Sequence, residues 1–297
     1  LFLITFWISF EKFHLNWEFS WPWLNLGNVF SERIDWIQWY EYTGVFGGSL
    51  WVLCANFLLF NLLRKFSSFK DKRRFYIRII PRILLICFPI FVSLLIKPKI
   101  NKGEEFRVLI TQPKIDPWDA KYGNSKSNLD YFKIFKDLTN EELSANEYDF
   151  VFTSETYFSE GYGENLDYFG YTKLYDSLNN YLSQFDNTNL ISGIQFYKLY
   201  QNQKEKPTKS ANLVRDNLWV DYFNSSMNMS ANKGFEYNHK SKLVVGSEYM
   251  PFKSFLEPII GTVMIDLGGT IRSMGTQHKS DRKVFNHSLK DLKTIPI

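Results

Sequence analysis

Apolar residues are distributed along this chain in two different ways. In the first hundred residues they form long uninterrupted runs, and beyond Glu105 they form short runs separated by polar turns. Gly44 to Leu63, GVFGGSLWVLCANFLLFNLL, is 20 residues without a charge. At helical rise that is enough to cross a hydrocarbon core of roughly 30 Å, and it predicts a membrane span over 44–63. Tyr76 to Ile96, YIRIIPRILLICFPIFVSLLI, predicts a return span. Pro81 and Pro89 are tolerable inside it, and Arg78 and Arg82 lie close enough to one end to snorkel. The opening LFLITFWISF reads as the end of an earlier span. It leads into NWEFSWPWLNLGN, whose tryptophans suit a membrane interface.

From Glu105 the pattern changes. FRVLITQP, Phe106 to Pro113, predicts a short strand closed by proline, and DYFKIFKDLTNEEL has the 3.6-residue period of an amphipathic helix. YDFVFTSET, NLISGIQFYKLY and NLWVDYFNSS predict further strands. YNHKSKLVVGSEYMPF puts lysines and a histidine before a β-type apolar run that ends at Glu248. IIGTVMIDLGGTIRSMGTQHKSDRK is glycine-rich and reads as a long surface loop, and LKTIPI as a last apolar strand. Strands mixed with helices, the strands apolar on both faces, argue for an α/β or α+β domain. The expected division is a membrane region over 1–103 and a globular domain over 104–297.

Charge follows the same division. Residues 1–100 hold 12 Lys+Arg against 6 Asp+Glu, and residues 101–297 hold 23 against 25, which together give the net +4. A basic balance can mark a nucleic-acid binder. Here the excess sits between the two apolar runs: Arg64 to Arg74 carries six basic residues and one acidic residue. That loop is therefore expected on the cytoplasmic side and everything after Lys97 on the other. Both cysteines, Cys54 and Cys87, fall inside predicted spans, which excludes a soluble disulfide framework, and no metal-type Cys/His spacing occurs. The chain starts without methionine and inside an apolar run, so a missing N-terminal part is expected rather than a signal peptide.

Taken singly, the candidate chemical groups stay open. Glu155 follows a buried strand, a common place for a general base, but also for an ordinary loop acid. Lys240 and Lys242 lie two apart and share a face if extended, which equally describes a solvated strand edge that discourages aggregation. Glu248 carries the same ambiguity, and His239 is assigned no role.

Read in order, TQPKIDPWDAKY, SET, NSS and YNHKSKLVVGSEYMP resemble the nitrilase-like domain of apolipoprotein N-acyltransferases, and IQWYEYTGVFGGSLW resembles the membrane region of the same enzymes. The resemblance implies an α+β fold, a nitrilase-like αββα sandwich preceded by transmembrane helices, here incomplete at its C-terminus. It implies a multi-pass protein of the bacterial inner membrane with the sandwich on the periplasmic side. The family transfers an acyl chain from a phospholipid to the N-terminal cysteine amine of a diacylated lipoprotein, through a Glu-Lys-Cys triad and a thioester, without cofactor, metal or nucleic acid. The family's Pro-Glu-Thr motif falls on Ser154-Glu155-Thr156, making Glu155 the base. Its Lys-x-x-Leu-Val motif selects Lys240, because Lys242 lies too close to Leu243, and its next acid is Glu248, a supporting carboxylate. Tyr122 matches a substrate-binding aromatic near the acyl chain. Ser154 and Val245 stand where the family has proline. The family's cysteine would follow a strand like LKTIPI, yet the chain stops at Ile297, so the nucleophile is absent and a fragment cut at both ends, inactive alone, is expected. The competing expectations are a catalytically silent membrane-anchored binding protein and a small-molecule amidase or nitrilase.

The basic loop generates a topological prediction. A reporter enzyme fused at Ser68 should be active only in the cytoplasm, and one fused after Lys102 only outside it; the reverse pattern would overturn the membrane assignment.

Overall fold

The computed structural model describes residues 1–66, 72–96, 105–115, 126–260 and 273–295. The chain forms two compact units, Leu1–Gly103 and Glu104–Ile297.

In the first unit α1 (Phe2–His14) is followed by three short 3₁₀ turns, then α2 (Tyr40–Phe66) and α3 (Lys72–Leu95). α2 is kinked at Gly44, whose φ of 63° is a left-handed conformation that favours glycine. Gly27 lets the second 3₁₀ turn press onto α2: a Cβ there would lie 2.1 Å from the Val45 carbonyl oxygen. Its N–H donates to Ser49 Oγ at 3.0 Å, and its carbonyl accepts from the Tyr40 hydroxyl at 2.9 Å. The carboxylate of Glu11 fixes the same turn to α1 by accepting from Leu26 N at 2.8 Å and Trp7 Nε1 at 3.0 Å. Tyr40–Arg64 and Ile77–Leu95 are long and apolar enough to cross a membrane, with mean hydropathies of 1.7 and 2.1. Only 17% and 6% of these stretches are buried within the chain, so they are not core helices of a soluble fold. Largely apolar and little buried within the chain, they suit an apolar surrounding such as a bilayer.

The second unit is built on two long strands, β4 (Asn189–Gln201) and β6 (Leu218–Met229). They pair antiparallel over twelve residue pairs, from Leu190 opposite Met229 to Gln201 opposite Leu218. Shorter strands join them. β1 (Val108–Ile110) and β2 (Phe150–Phe152) run parallel beside the start of β4, and β3 (Glu164–Asn165) beside its end. β5 (Asn212–Arg215) and β7 (Phe235–His239) lie antiparallel to the two ends of β6. The result is one mixed seven-stranded sheet.

α4 (Asn128–Ala145) connects β1 to β2, and α5 (Lys173–Leu182) connects β2 to β4. Parallel strands joined in one direction by right-handed crossovers put both helices on the same face. α4 begins at a capping box in which Ser127 and Asp130 satisfy each other's backbone N–H groups. The helices bury Tyr131, Phe135, Leu178 and Tyr181 against Leu190, Ile194, Phe196 and Met227 of the sheet. The alternate residues of the same strands face the other way. There Phe150 and Ile191 pack on Phe285 of a two-stranded hairpin, β8 (Phe285–Asn286) and β9 (Lys293–Thr294). His287 anchors that hairpin: its Nε2 donates to the carbonyls of Asp149 at 3.1 Å and Asn187 at 2.9 Å, so Nδ1 is the acceptor for Leu289 N and Lys290 N. The described residues thus build a helix layer, a mixed sheet and a hairpin on the second face. α6 (Lys253–Ile260) is a short helix beyond this framework.

Two local expectations change. The β-type run after Lys240 is not a strand: β7 precedes Lys240 and ends at His239. The Glu248 carboxylate captures the Val244 N–H at 2.6 Å, and Gly246 has φ of 85°, so the segment folds into a turn with one isolated bridge, Val245 to Tyr249. The middle of the glycine-rich stretch, 261–272, lies outside the described residues; beside it the chain departs from a simple surface loop. Ile259 and Ile260 end α6, and Met274 and Gly275 are buried, donating to the carbonyls of Glu248 at 2.8 Å and Tyr222 at 2.7 Å.

The helix-facing core should dominate the stability of this unit. Leu178→Ala, at a fully buried position, should cost about 2–5 kcal/mol. Leu138→Ala, on the exposed side of α4, should stay within about 0.5 kcal/mol in the same denaturant titrations of the detergent-solubilised chain.

Candidate active site

Lys240 is the first residue after β7, and its backbone N–H extends the ladder by donating to the Asn224 carbonyl at 2.7 Å. This carries its side chain to the sheet face opposite the helices. Glu155 arrives from the other side of β4. β2 ends at Phe152, Thr153 N donates to the Ile191 carbonyl at 3.0 Å, and the Thr153 and Ser192 hydroxyls meet at 2.7 Å. The chain then crosses directly over Gly193. A Cβ at Gly193 would lie 2.4 Å from Thr156 N, 2.5 Å from the Ser154 carbonyl oxygen and 2.7 Å from Glu155 Cα, so only glycine allows this approach. Thr156 takes φ of 49° as the chain turns back.

The three charged side chains named from the sequence come together. Lys240 Nζ lies 2.8 Å from Glu155 Oε1 and 3.1 Å from Glu248 Oε1, although Glu155 and Lys240 are 85 residues apart. Asn224 Nδ2 donates to the same two oxygens, at 2.6 Å to Glu155 and 2.8 Å to Glu248. A neutral amide and one ammonium therefore separate two carboxylates. Burial alone would lower the Lys240 pKa, but the hydrogen bond to Glu155 and the charges of both carboxylates outweigh it, and the net direction is upward. The ammonium stays protonated at neutral pH. The carboxylates are not equivalent: the Glu155 side chain is 64% exposed and that of Glu248 only 11%. Glu248 is further held by Val244 N, which suits a fixed support, while Glu155 faces the space where a substrate would enter.

That space is a cavity of about 350 Å³, lined by Glu155, Asn224, Lys240, several hydroxyls including Ser192 and Ser226, and Ile295 just beyond β9. Neither Cys54 nor Cys87 is among its lining residues. Among the described residues no cluster of His, Cys, Asp and Glu is arranged to hold a metal ion. Lys242 is exposed and does not line the cavity. Tyr122 lies outside the described residues. Asn224 and Gly193 are the site residues that sequence reasoning left without a role. Asn224 opens the NSS tripeptide, but its bridging position depends on the β4–β6 register, and Gly193 is a strand glycine whose spacing gives no sign of the backbone above it.

His239, beside Lys240, stacks on Phe223 with centroids 4.0 Å apart, and its Nδ1 pairs with Ser225 Oγ at 2.7 Å. Burial first, then the Lys198 charge, push its pKa down to about 4, so it is neutral at pH 7.

Similarity to known proteins adds to this geometry. Residues 1–58 match the family model described as the apolipoprotein N-acyltransferase N-terminal domain. Over 120 residues the chain is 30% identical to an apolipoprotein N-acyltransferase of Chlorobaculum tepidum, a stretch that is 38% of this chain and 22% of that protein. Both findings support the resemblance to apolipoprotein N-acyltransferases carried by the ordered motifs.

The His239 environment predicts a pH effect. A histidine whose folded pKa lies below its unfolded value binds its proton more readily when unfolded, so stability falls as pH drops from about 6.5 towards about 4. The loss should reach roughly 2–3 kcal/mol relative to His239→Gln, at about 1.4 kcal/mol per pH unit, in denaturation midpoints compared at pH 7 and pH 4. Equal pH profiles for both proteins would exclude it.

Proposed function

We propose that this chain carries the acid-base and oxyanion-stabilising groups of an apolipoprotein N-acyltransferase. Its site would move an acyl chain from a membrane phospholipid to the N-terminal cysteine amine of a diacylated lipoprotein. The observation that carries the reading is the convergence of Lys240 with Glu155 and Glu248 on one cavity. The similarities support it at the level of lipoprotein N-acylation. The matched stretch is 22% of the relative's length.

The chemistry explains the residue types. A thiol with pKa near 8.5 is mostly protonated at neutral pH. Glu155, the more accessible carboxylate, takes its proton as sulfur attacks the phospholipid ester carbon. The Lys240 ammonium faces the resulting oxyanion, and Glu248 with Asn224 holds that ammonium in place. Collapse breaks the ester C–O bond, and the lysophospholipid alkoxide leaves with the proton from Glu155. The thioester then accepts the lipoprotein amine, Glu155 takes the amine proton, and the thiol is regenerated. The thiol is not among the residues lining the cavity, so it has to come from outside them. In this reading α2 and α3 anchor the chain in the bacterial inner membrane as part of a multi-pass region. The second unit is then a periplasmic nitrilase-like sandwich, close to both lipid substrates. That no cysteine is among the residues lining the cavity favours one second reading, a catalytically silent membrane-anchored binding protein.

The test uses the gene product that carries these residues, with labelled phospholipid and a diacylated lipopeptide. Lys240→Ala should lower thioester formation and transfer by about 10²–10³, Glu155→Gln should block thioester formation, and Lys242→Ala should matter far less. Normal rates in Lys240→Ala would refute the proposal, and a wild-type protein that binds lipopeptide but never acylates it would establish the silent reading.

A further inference from the structure

The cavity holds a second cation besides Lys240. Arg282 lines it, and its guanidinium is fixed by Ser241, the residue after Lys240: Nε donates to Ser241 Oγ at 3.0 Å, and Nη2 donates to the same oxygen. The two cations differ in their partners. Lys240 is matched by two carboxylates, whereas no carboxylate pairs with Arg282 among the described residues. Two N–H directions at most are used on one hydroxyl, and the guanidinium has five. The remaining donors form a fork suited to a phosphate or phosphodiester oxygen pair. Ser241 sits one residue, about 3.8 Å along the backbone, from Lys240. Arg282, Lys240 and Glu155 all line the one cavity, so an anion on Arg282 would share it with the reacting groups.

On the reading of the site given above, we infer that Arg282 binds the phosphodiester of the phospholipid donor and so sets which ester carbonyl reaches Lys240. Arg282 is a positioning and specificity residue that holds the headgroup, while Glu155 and Lys240 perform the chemistry. The arrangement divides the cavity into a charge-balanced end for the reaction and a cationic end for the donor's anion.

The experiment titrates the detergent-solubilised full chain, in a nonionic detergent without phosphate, with glycerophosphoglycerol, inorganic phosphate and galactosylglycerol, followed by ³¹P line broadening or calorimetry. The proposal expects the phosphodiester to bind, Arg282→Ala to weaken it by about tenfold or more, Arg282→Lys to restore part of the affinity, and galactosylglycerol to show no dependence on residue 282. Unchanged phosphodiester affinity in Arg282→Ala, in a protein with wild-type melting temperature, would overturn it. So would Arg282-dependent binding of inorganic phosphate without binding of the diester, which would make this a free-anion site. In the gene product that carries these residues, Arg282→Ala should raise the donor KM by about tenfold and change kcat little. Diester binding through Arg282 in a protein that transfers no acyl chain would uphold this inference and refute the acyltransfer reading, so the two fail separately.

Discussion

The antiparallel pairing of β4 with β6 is the constraint on which the second unit depends. Its twelve-pair register sets Gly193 opposite Ser226 and Gln195 opposite Asn224. From that register the site follows: the loop after β2 crosses over the missing Gly193 side chain, and Asn224 reaches both carboxylates. A slip of one residue would send every side chain of a strand to the other face. It would move Asn224 into the helix-facing core and Phe223 into the polar cavity. The helices enforce the register because Leu190, Ile194, Phe223 and Met227 all have to face α4 and α5.

The charges at the site then form a balance that no pair of residues achieves alone. Two carboxylates a few ångströms apart repel each other unless a cation stands between them. Lys240 intervenes, and each carboxylate in turn keeps Lys240 charged despite its partial burial. Removing one partner leaves an uncompensated charge in a half-buried place, which is why the Asn224 amide, a neutral donor to both acids, belongs to the same unit. The difference in exposure between Glu155 and Glu248 gives this symmetric-looking arrangement a direction, with one acid facing substrate and the other facing the protein.

The first unit answers to a different solvent. α2 and α3 leave Phe57, Phe60, Leu84, Phe88 and Leu95 more than half exposed, which water would penalise and lipid would not. Hydrogen bonds tie them together: the Trp51 indole of α2 donates to the Ile86 carbonyl of α3 at 2.8 Å, and Gln38 N, just before α2, donates to Ser93 Oγ of α3 at 2.6 Å. Such hydrogen bonds and small-residue approaches, as at Gly27, hold helices together where hydrophobic burial cannot distinguish neighbour from lipid.

Periodicity and composition were sufficient for whatever depends on nearby residues. The uncharged run from Gly44, the amphipathic helix over DYFKIFKDLTNEEL and the strands at Phe150, Asn189 and Leu218 were all legible, because length, 3.6-residue period and β-branched or aromatic runs act locally. The ordered motifs also singled out Glu155, Lys240 and Glu248. What the sequence left open was whether these charges meet, since spacing of 85 residues carries no distance. Tertiary structure decided it through the β4–β6 register. The same long-range contacts decided where local reading failed. The valines after Lys240 looked like a strand, but a hydrogen bond from Val244 N–H to the Glu248 carboxylate and a left-handed Gly246 turned them into a loop. Met274 and Gly275, read as surface, were drawn against β6 by the backbone carbonyl of Tyr222 and by that of Glu248. Asn224 and Gly193 acquired their roles only there, because a bridging amide and an absent side chain have meaning only relative to what the fold places above them.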